Sequence, residues 1–467
     1  SYFDKDGVLC IHCKSQCTYS SIGRIGNSLG VPKDKFRIIM NPTGASFGWS
    51  TNAGDLVLAG AGTVCTGRPV SLSMSYEEHQ HYSGKRCPAY SNGRLACDKD
   101  GKIIAAEFDV GMDHGAYSWG GDDVMTKPAR FTFWPYNVPN VAGLVRVANT
   151  NHAFGTAYRS YGSPQAYTLS EPLMDMMADK LGMDPFEFRY KNIARPGETN
   201  INRYPFRQYP MEKMMDTMRP LYEKAVAEAK AADTPEKRRG VGIAWGGFNV
   251  TEGTTDSAEV ALELGADGRI WKYDTWHNMG QGGDVGSLMV TLEALKELHI
   301  TPEDVQLVQN DTKLCPDTGM AGASRSFYMD GNATKIAAEK LLNNMRKPDG
   351  TFRTYEEMKA EGIETKVIGR YETTTTPGLT RLDPNTGVGD PTPAFTYCLN
   401  MAEVEVDTKT GKTTVLKFTC VDMVGRVGNI DAVNGQAYGG ISHSIGFALK
   451  EDYQDVKKHN NMAGAGV

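Results

Sequence analysis

The sequence lacks any run of the ~18 apolar residues that a membrane-spanning helix requires, so no segment reads as one. It lacks an excess of basic charge. Lys and Arg number 50 against 56 Asp and Glu, a formal net charge of −6, with a pI near 5.9. That balance argues against nucleic acid or an anionic membrane surface as the main partner. A basic-then-apolar leader is missing as well. The first residues, SYFDKDGVLC, read as a turn over Asp4-Lys5-Asp6-Gly7 leading into a strand, as expected of a chain that begins in mid-domain. Nor is there a disulfide pattern: the nine cysteines are an odd number, and six are scattered, which fits free thiols in a reducing compartment, the cytoplasm. The exception is Cys10-x2-Cys13-x3-Cys17. It offers three thiolates with no fourth ligand close by. An alternating strand through Leu9 and Ile11, ending in a polar turn, accounts for it more plainly than the start of a metal or iron–sulfur site.

What is present is an ordinary globular composition, 40% apolar and 23% charged, in a chain of 467 residues that is too long for one compact core. Strand and helix patterns alternate throughout, which predicts an α/β to α+β architecture. Hairpins are expected at Asp100-Gly101, Asp267-Gly268 and Thr410-Gly411, each between alternating apolar runs. Helices are expected from about Gln165 to Leu181, with Leu173, Met177 and Leu181 on one face and a kink at Pro172, and from about Met211 to Ala232. The polar stretch DTPEKRRG then breaks the pattern and suggests a division into halves, 1–232 and 233–467. A Thr-, Gly- and Pro-rich loop, about Thr373 to Pro393, is expected to wrap the surface.

Fifty-one glycines point to many turns and close backbone approaches. Two glycine motifs are decoys. Gly60-Ala61-Gly62 sits inside the small-residue run DLVLAGAGTVCTG, with no strand leading into it and no acidic residue at the right distance, and reads as a closely packed helix. The segment Thr410 to Thr414 resembles a Walker A tail, but Val406 stands where the first glycine is required. Three others are more specific. Met279-Gly280-Gln281-Gly282-Gly283-Asp284 follows the strand pattern RIWKYDTW and precedes a helix carrying Leu288, Leu292 and Leu295. Thr318 to Ser326 runs into the helix of Ile336 and Leu341. Asn434-Gly435-Gln436 precedes Tyr438-Gly439-Gly440 and the helical SIGFALKED. A glycine-rich turn at a helix start presents bare amide N–H groups at the positive end of the helix dipole. Three on one half suggest a large anionic cofactor with more than one phosphate.

These motifs resemble the molybdopterin-binding domain of the xanthine oxidase family, most closely the bacterial molybdenum aldehyde oxidoreductases. Met279-Gly280-Gln281-Gly282 matches the family's Met-Gly-Gln-Gly, and the stretch Ala153 to Gln165 its Phe-Arg-Gly-Phe-Gly-Gly-Pro-Gln. Phe47-Gly48 falls in its Gly-Phe-Gly-Gly-Lys loop. Thr66 to Val70, Gly84-Lys85-Arg86 and Leu181 to Glu187 match three scaffold signatures. There are departures: Trp49-Ser50-Thr51 replaces Gly-Lys-Glu, Ser160 and Ser163 replace glycines, and His443 stands near a glutamine position.

The resemblance implies an elongated domain in two packed halves that binds molybdenum as molybdopterin cytosine dinucleotide. The metal would be held by the pterin, without a direct protein ligand. It implies Phe47, Gly48, Arg159, Met279, Gly280, Gln281, Gly282, Ala323, Ser324, Ser326 and Gln436 as cofactor-binding residues, with Gly48 offering its amide to a metal oxygen. Arg159 and Tyr161 become the catalytic-pocket residues, a fixed cation for a carboxylate product and an aromatic wall. His79 and His81, with no further ligand, read as surface or strand histidines. The implied reaction is oxidation of an aldehyde to a carboxylic acid, because Thr51 cannot supply the carboxylate with which purine hydroxylases hold their heterocycle. The alternatives are an N-heterocycle hydroxylase, or a cofactor-binding scaffold subunit without its own general base. The family's catalytic glutamate would lie beyond Val467. Electrons would leave through iron–sulfur clusters on other domains or a partner subunit, in a homodimer.

Overall fold

The computed structural model describes residues 1–117, 121–151, 154–251 and 255–451. The chain forms two compact units, each assembled from separated stretches. The first contains Ser1–Tyr76, Val250–Pro377 and Val427–Gln436; the second contains Glu77–Asn249, Gly378–Arg426 and the chain from Ala437.

In the first unit, strands Tyr2–Phe3, Leu9–Cys13 and Phe36–Met40 form a small sheet. The last two are parallel, joined by the helix Thr18–Leu29. A second sheet has the order Val305–Gln309, Ile270–Asp274, Ser257–Leu264, Lys366–Glu372. Its one parallel pair, Val305–Gln309 with Ile270–Asp274, is bridged by the helix Gly283–Ala294, while Asp267-Gly268 turns the antiparallel hairpin as expected. The helix Ser326–Met345 lays Ala337, Leu341 and Met345, four residues apart, onto Leu262, Leu264 and Ile270. Gly369 permits this approach: a Cβ there would stand 2.2 Å from the Ala333 carbonyl oxygen.

In the second unit, Ala89–Cys97 and Ile103–Asp113 form the expected hairpin at Asp100-Gly101, and Asn140–Ala148 lies parallel beside them. Another sheet has the order Thr413–Met423, Ala394–Asp407, Lys237–Val250. The helices Ser163–Leu181, with Pro172 inside it, and Met211–Ala231 match the sequence reading within two residues. Phe131, Trp134, Phe206, Phe395 and Tyr397 form an aromatic core. Glu171, also buried there, accepts from Tyr136 Oη (2.9 Å), Arg189 Nε (2.9 Å) and the Trp245 N–H (3.1 Å).

Three local expectations change. Asn434-Gly435-Gln436 is not a turn; it lies inside the helix Ile430–Leu449. His79 and His81 fall within the helix Tyr76–Tyr82. The stretch from Thr373 to Pro393 is irregular, yet it buries Thr373, Asp390 and Thr392, so it is partly packed and not simply wrapped outside. Both decoys resolve as expected. Gly60 lies in the helix Gly54–Thr66, where a Cβ would stand 2.7 Å from Leu29 Cδ1, and Gly411 turns a hairpin.

The first unit buries one unusual charge cluster. Lys272 Nζ lies 2.7 Å from Asp330 Oδ1 and 3.4 Å from Asp274 Oδ2, and all three side chains are fully buried. Two carboxylates against one ammonium leave a net negative charge in a poorly polarisable interior. Burial, reinforced by the charge of Asp274 and opposed by Lys272, pushes the Asp330 carboxyl up from 3.8 to about 6. A carboxyl whose folded pKa is raised contributes stability that is full below the unfolded value and lost as pH rises through the folded one. Replacing Asp330 with Asn should therefore cost more at pH 4.5 than at pH 7.5, the difference being about 1–3 kcal/mol. Urea unfolding of both proteins at the two pH values measures it. An equal cost at both would show that Asp330 does not titrate in this window.

Candidate functional site

In the first unit, two of the candidate turns, 46–51 and 320–325, are joined by one buried side chain, Gln16. Phe47 (φ 55°) and Gly48 (φ 121°) both adopt left-handed backbone, and the single helical turn Trp49–Thr51 follows. Phe47 is exposed. The Gly48 N–H, expected to face a metal oxygen, donates to Gln16 Oε1 at 3.1 Å. The Thr51 hydroxyl donates to the Gly48 carbonyl at 2.7 Å. Gln16, 6% exposed, also accepts from the Ser46 hydroxyl and donates through Nε2 to the Ala321 carbonyl at 2.7 Å. Its own N–H bonds to Ser50 O (3.0 Å), and its carbonyl accepts from the Ala321 N–H (2.8 Å). The sequence reading missed Gln16, which sits in KSQC with no motif around it.

The turn after Ile270–Asp274 is closed on itself. Gln281 Nε2 donates to the His277 carbonyl (2.6 Å), and its Oε1 accepts the Met279 N–H (2.7 Å). Asn278 Oδ1 takes the N–H groups of Gly280 (3.0 Å) and Gly282 (3.2 Å). Gly280 and Gly282, at φ 103° and 80°, supply conformations that a side chain would strain. Gln281, expected as a cofactor ligand, thus braces its own turn.

The turn ahead of Ser326–Met345 differs. Ala323 and Ser324 both adopt left-handed backbone (φ 51° and 52°), a strained arrangement for residues other than glycine. Arg325 is buried and turned inward. Its guanidinium grips Asp256 through two bonds (2.7 and 2.9 Å) and donates to the carbonyls of Thr318, Met320 and Ser257 at 2.8, 2.9 and 2.8 Å. Among the described residues, no protein acceptor meets the backbone N–H of Gly322, Ala323, Ser324 or Ser326. Free N–H groups at the head of a 20-residue helix form an anion cradle. The donor set fits a phosphate group, and this turn fits it better than the other two. Gln436 lies on the exposed side of its helix.

In the second unit, Ser160, Tyr161 and Gly162 (φ 69°, 43° and 101°) turn the chain into the helix Ser163–Leu181. Ala153, the first residue of that signature, lies outside the described residues. Tyr161 is half-buried against the second unit's apolar core. Arg159 is half-buried over glycines of the helix Ile430–Leu449, its Nη1 3.0 Å from where a Gly439 Cβ would stand. Arg86 Nη1 donates to the Arg159 carbonyl at 3.0 Å, with its guanidinium 4.3 Å from the Tyr158 ring centroid. His443 stacks on Tyr158 at 5.7 Å; burial, then the charges of Arg159 and Arg86, lower its pKa. No group of three or more His, Cys, Asp or Glu among the described residues is placed to hold a metal ion, and Cys10 and Cys13 belong to the strand Leu9–Cys13.

Two models of the molybdopterin cofactor-binding domain match the chain, at residues 1–193 and 217–465. The chain is 40% identical over 466 residues to the aldehyde oxidoreductase of Megalodesulfovibrio gigas, covering 100% of this chain and 51% of that protein. Among solved structures it superposes on the aldehyde oxidoreductase from Desulfovibrio gigas with a TM-score of 0.96 at 40% identity, and on that from Desulfovibrio desulfuricans ATCC 27774 with 0.95 at 41%. In both cases it covers all of this chain and 51% of the other. It thus spans about half the length of these relatives. With family matches along most of its length and such a relative over the whole of it, the chain belongs to the molybdopterin-binding domains of the xanthine oxidase family.

Proposed function

We propose that the chain is the molybdenum-cofactor-binding part of an aldehyde oxidoreductase that converts aldehydes to carboxylic acids. The observation that carries this reading is the backbone cradle at Gly322 to Ser326, in a chain 40% identical over its whole length to a protein named aldehyde oxidoreductase. The sequence halves 1–232 and 233–467 are read as its two cofactor-binding domains; the family matches divide the chain nearby, at 1–193 and 217–465, while each compact unit draws on both halves. Iron–sulfur clusters on a further domain or a partner subunit, a homodimer and a cytoplasmic setting belong to the same reading. Free thiols at all nine cysteines support the last.

When bound, the molybdopterin would supply the redox metal and the oxygen transferred to substrate. The chain's own residues bind and orient. The N–H groups of Ala323, Ser324 and Ser326 would take a phosphate of the cytosine dinucleotide form, and the Met279 to Gly282 turn, rigid through Gln281 and Asn278, would take the pterin side. Phe47 and Gly48 would border the metal, with Gly48 held by Gln16. Gln436 is retained as a contact from its helix. Arg159 would steady the negative charge that develops as the carboxylate forms, and Tyr161 would close the aromatic side of the pocket.

Three outcomes follow. Metal analysis and acid hydrolysis of the purified complete protein should find molybdenum and a released cytidine nucleotide; absence of either counts against the cofactor assignment. Arg325→Lys keeps the charge but loses the fork on Asp256 and the three carbonyls, so the turn should loosen. Stability should fall by about 2–4 kcal/mol and cofactor content with it. Full stability and full cofactor content would show that Arg325 does not hold the turn. Finally, kcat/KM for acetaldehyde or benzaldehyde should exceed that for xanthine by at least about tenfold. Thr51 provides no carboxylate, and an unpaired polar group on a buried purine costs about 1–3 kcal/mol. Comparable turnover of xanthine would remove the aldehyde assignment.

A further inference from the structure

The helix Thr18–Leu29 begins without a side-chain cap of its own: Cys17 occupies the N-cap position, and its side chain accepts no backbone N–H of the first turn. Helix starts normally offer an acceptor to these N–H groups. Here the acceptor comes from 259 residues away in sequence, where His277 Nε2 lies 3.3 Å from the Thr18 N–H and 3.1 Å from the Thr18 hydroxyl. A backbone N–H only donates, so Nε2 is assigned as the acceptor and the imidazole proton to Nδ1, which is buried and meets no acceptor among the described residues. Protonating the ring would remove this acceptor and put a cation at the positive end of a helix dipole. Burial holds the ring neutral: its pKa is lowered to about 3, with the charge of Arg325 adding to the effect and that of Asp274 opposing it.

Between them, the three residues at this helix start reach three loops. Gln16 holds Gly48 and Ala321, the Cys17 thiol donates to the Thr51 carbonyl at 3.5 Å, and Thr18 meets His277, whose carbonyl receives Gln281 Nε2. We infer that His277 is a positioning residue: its imidazole locks the 279–283 turn to the 16–18 segment, and through it to the 46–51 loop and the 320–325 turn, so that all three loops hold one common geometry. The consequence for cofactor retention rests on the proposed function; the mechanical coupling does not.

The test is hydrogen exchange on the purified protein, with cofactor content measured on the same samples. In His277→Phe, which keeps a ring and loses the acceptor, exchange of the hydrogen-bonded amides in 279–283 and 46–51 and at Ala321 and Arg325 should rise by about tenfold together. His277→Gln, whose Oε1 can accept from Thr18, should stay close to wild type. Faster exchange confined to 18–29, or equal behaviour of the Gln and Phe variants, overturns the coupling. If the loops loosen together while cofactor content stays full, the coupling stands and the reading of these loops as the cofactor site falls. Should the Phe variant not fold, nitrogen NMR of labelled histidine in the wild type decides: a neutral ring protonated on Nδ1 from pH 5 to 8 is expected, and a titrating ring or a proton on Nε2 overturns the inference.

Discussion

Gln16 is where two of the first unit's loops, 46–51 and 320–325, depend on a single constraint. A buried amide left without partners would cost about 1–3 kcal/mol, so its two ends dictate what surrounds them. The oxygen takes an N–H and a hydroxyl from the 46–50 loop, and the nitrogen gives to a carbonyl 305 residues later in the sequence. The backbone of the same residue bonds in both directions as well. Left-handed backbone occurs at 47 and 48, where Gln16 takes the Gly48 N–H, and again at 323 and 324, two residues beyond its other partner, Ala321. Strain of that kind persists only where the surroundings over-determine it.

Charge is handled in the same way, by enclosing it. Arg325, the one cation in the stretch Thr318 to Ser326, spends its donors on Asp256 and three carbonyls. Lys272 is locked against Asp330 from the helix that follows the cradle and Asp274 from the strand that precedes the other glycine turn. Each cation fixes the approach of a helix that starts at a candidate turn. The second unit does likewise through Arg189 and Glu171.

Much of this was legible in the sequence because it is local. The Asp-Gly and Thr-Gly hairpins and the two long helices follow from turn chemistry and apolar spacing, and Gly60 was recognisable as helix packing because no strand led into it. Non-local requirements were hidden. Asn434-Gly435-Gln436 reads as a turn, yet it lies in a helix, and at 439 of the same helix the missing side chain leaves room for Arg159. A glycine in a helix costs about 1 kcal/mol, a cost that close approach of another group can offset. Gln281 read as a ligand because its motif did, while its side chain closes its own turn. Gln16 and His277 had no pattern at all, since their partners lie hundreds of residues away.

A cradle made of N–H groups discriminates differently from one made of lysines and arginines. Side-chain cations attract any anion at long range and lose that attraction to salt. Backbone donors fixed by a strained turn act only at contact and only on an oxygen array that matches their spacing. A chain with a net charge of −6 has little general attraction for anions to offer. It can still hold a phosphate where the backbone alone is positive, provided the turn cannot relax. The inward Arg325, the clamp at Gln16 and the neutral His277 are the means by which it is kept from relaxing.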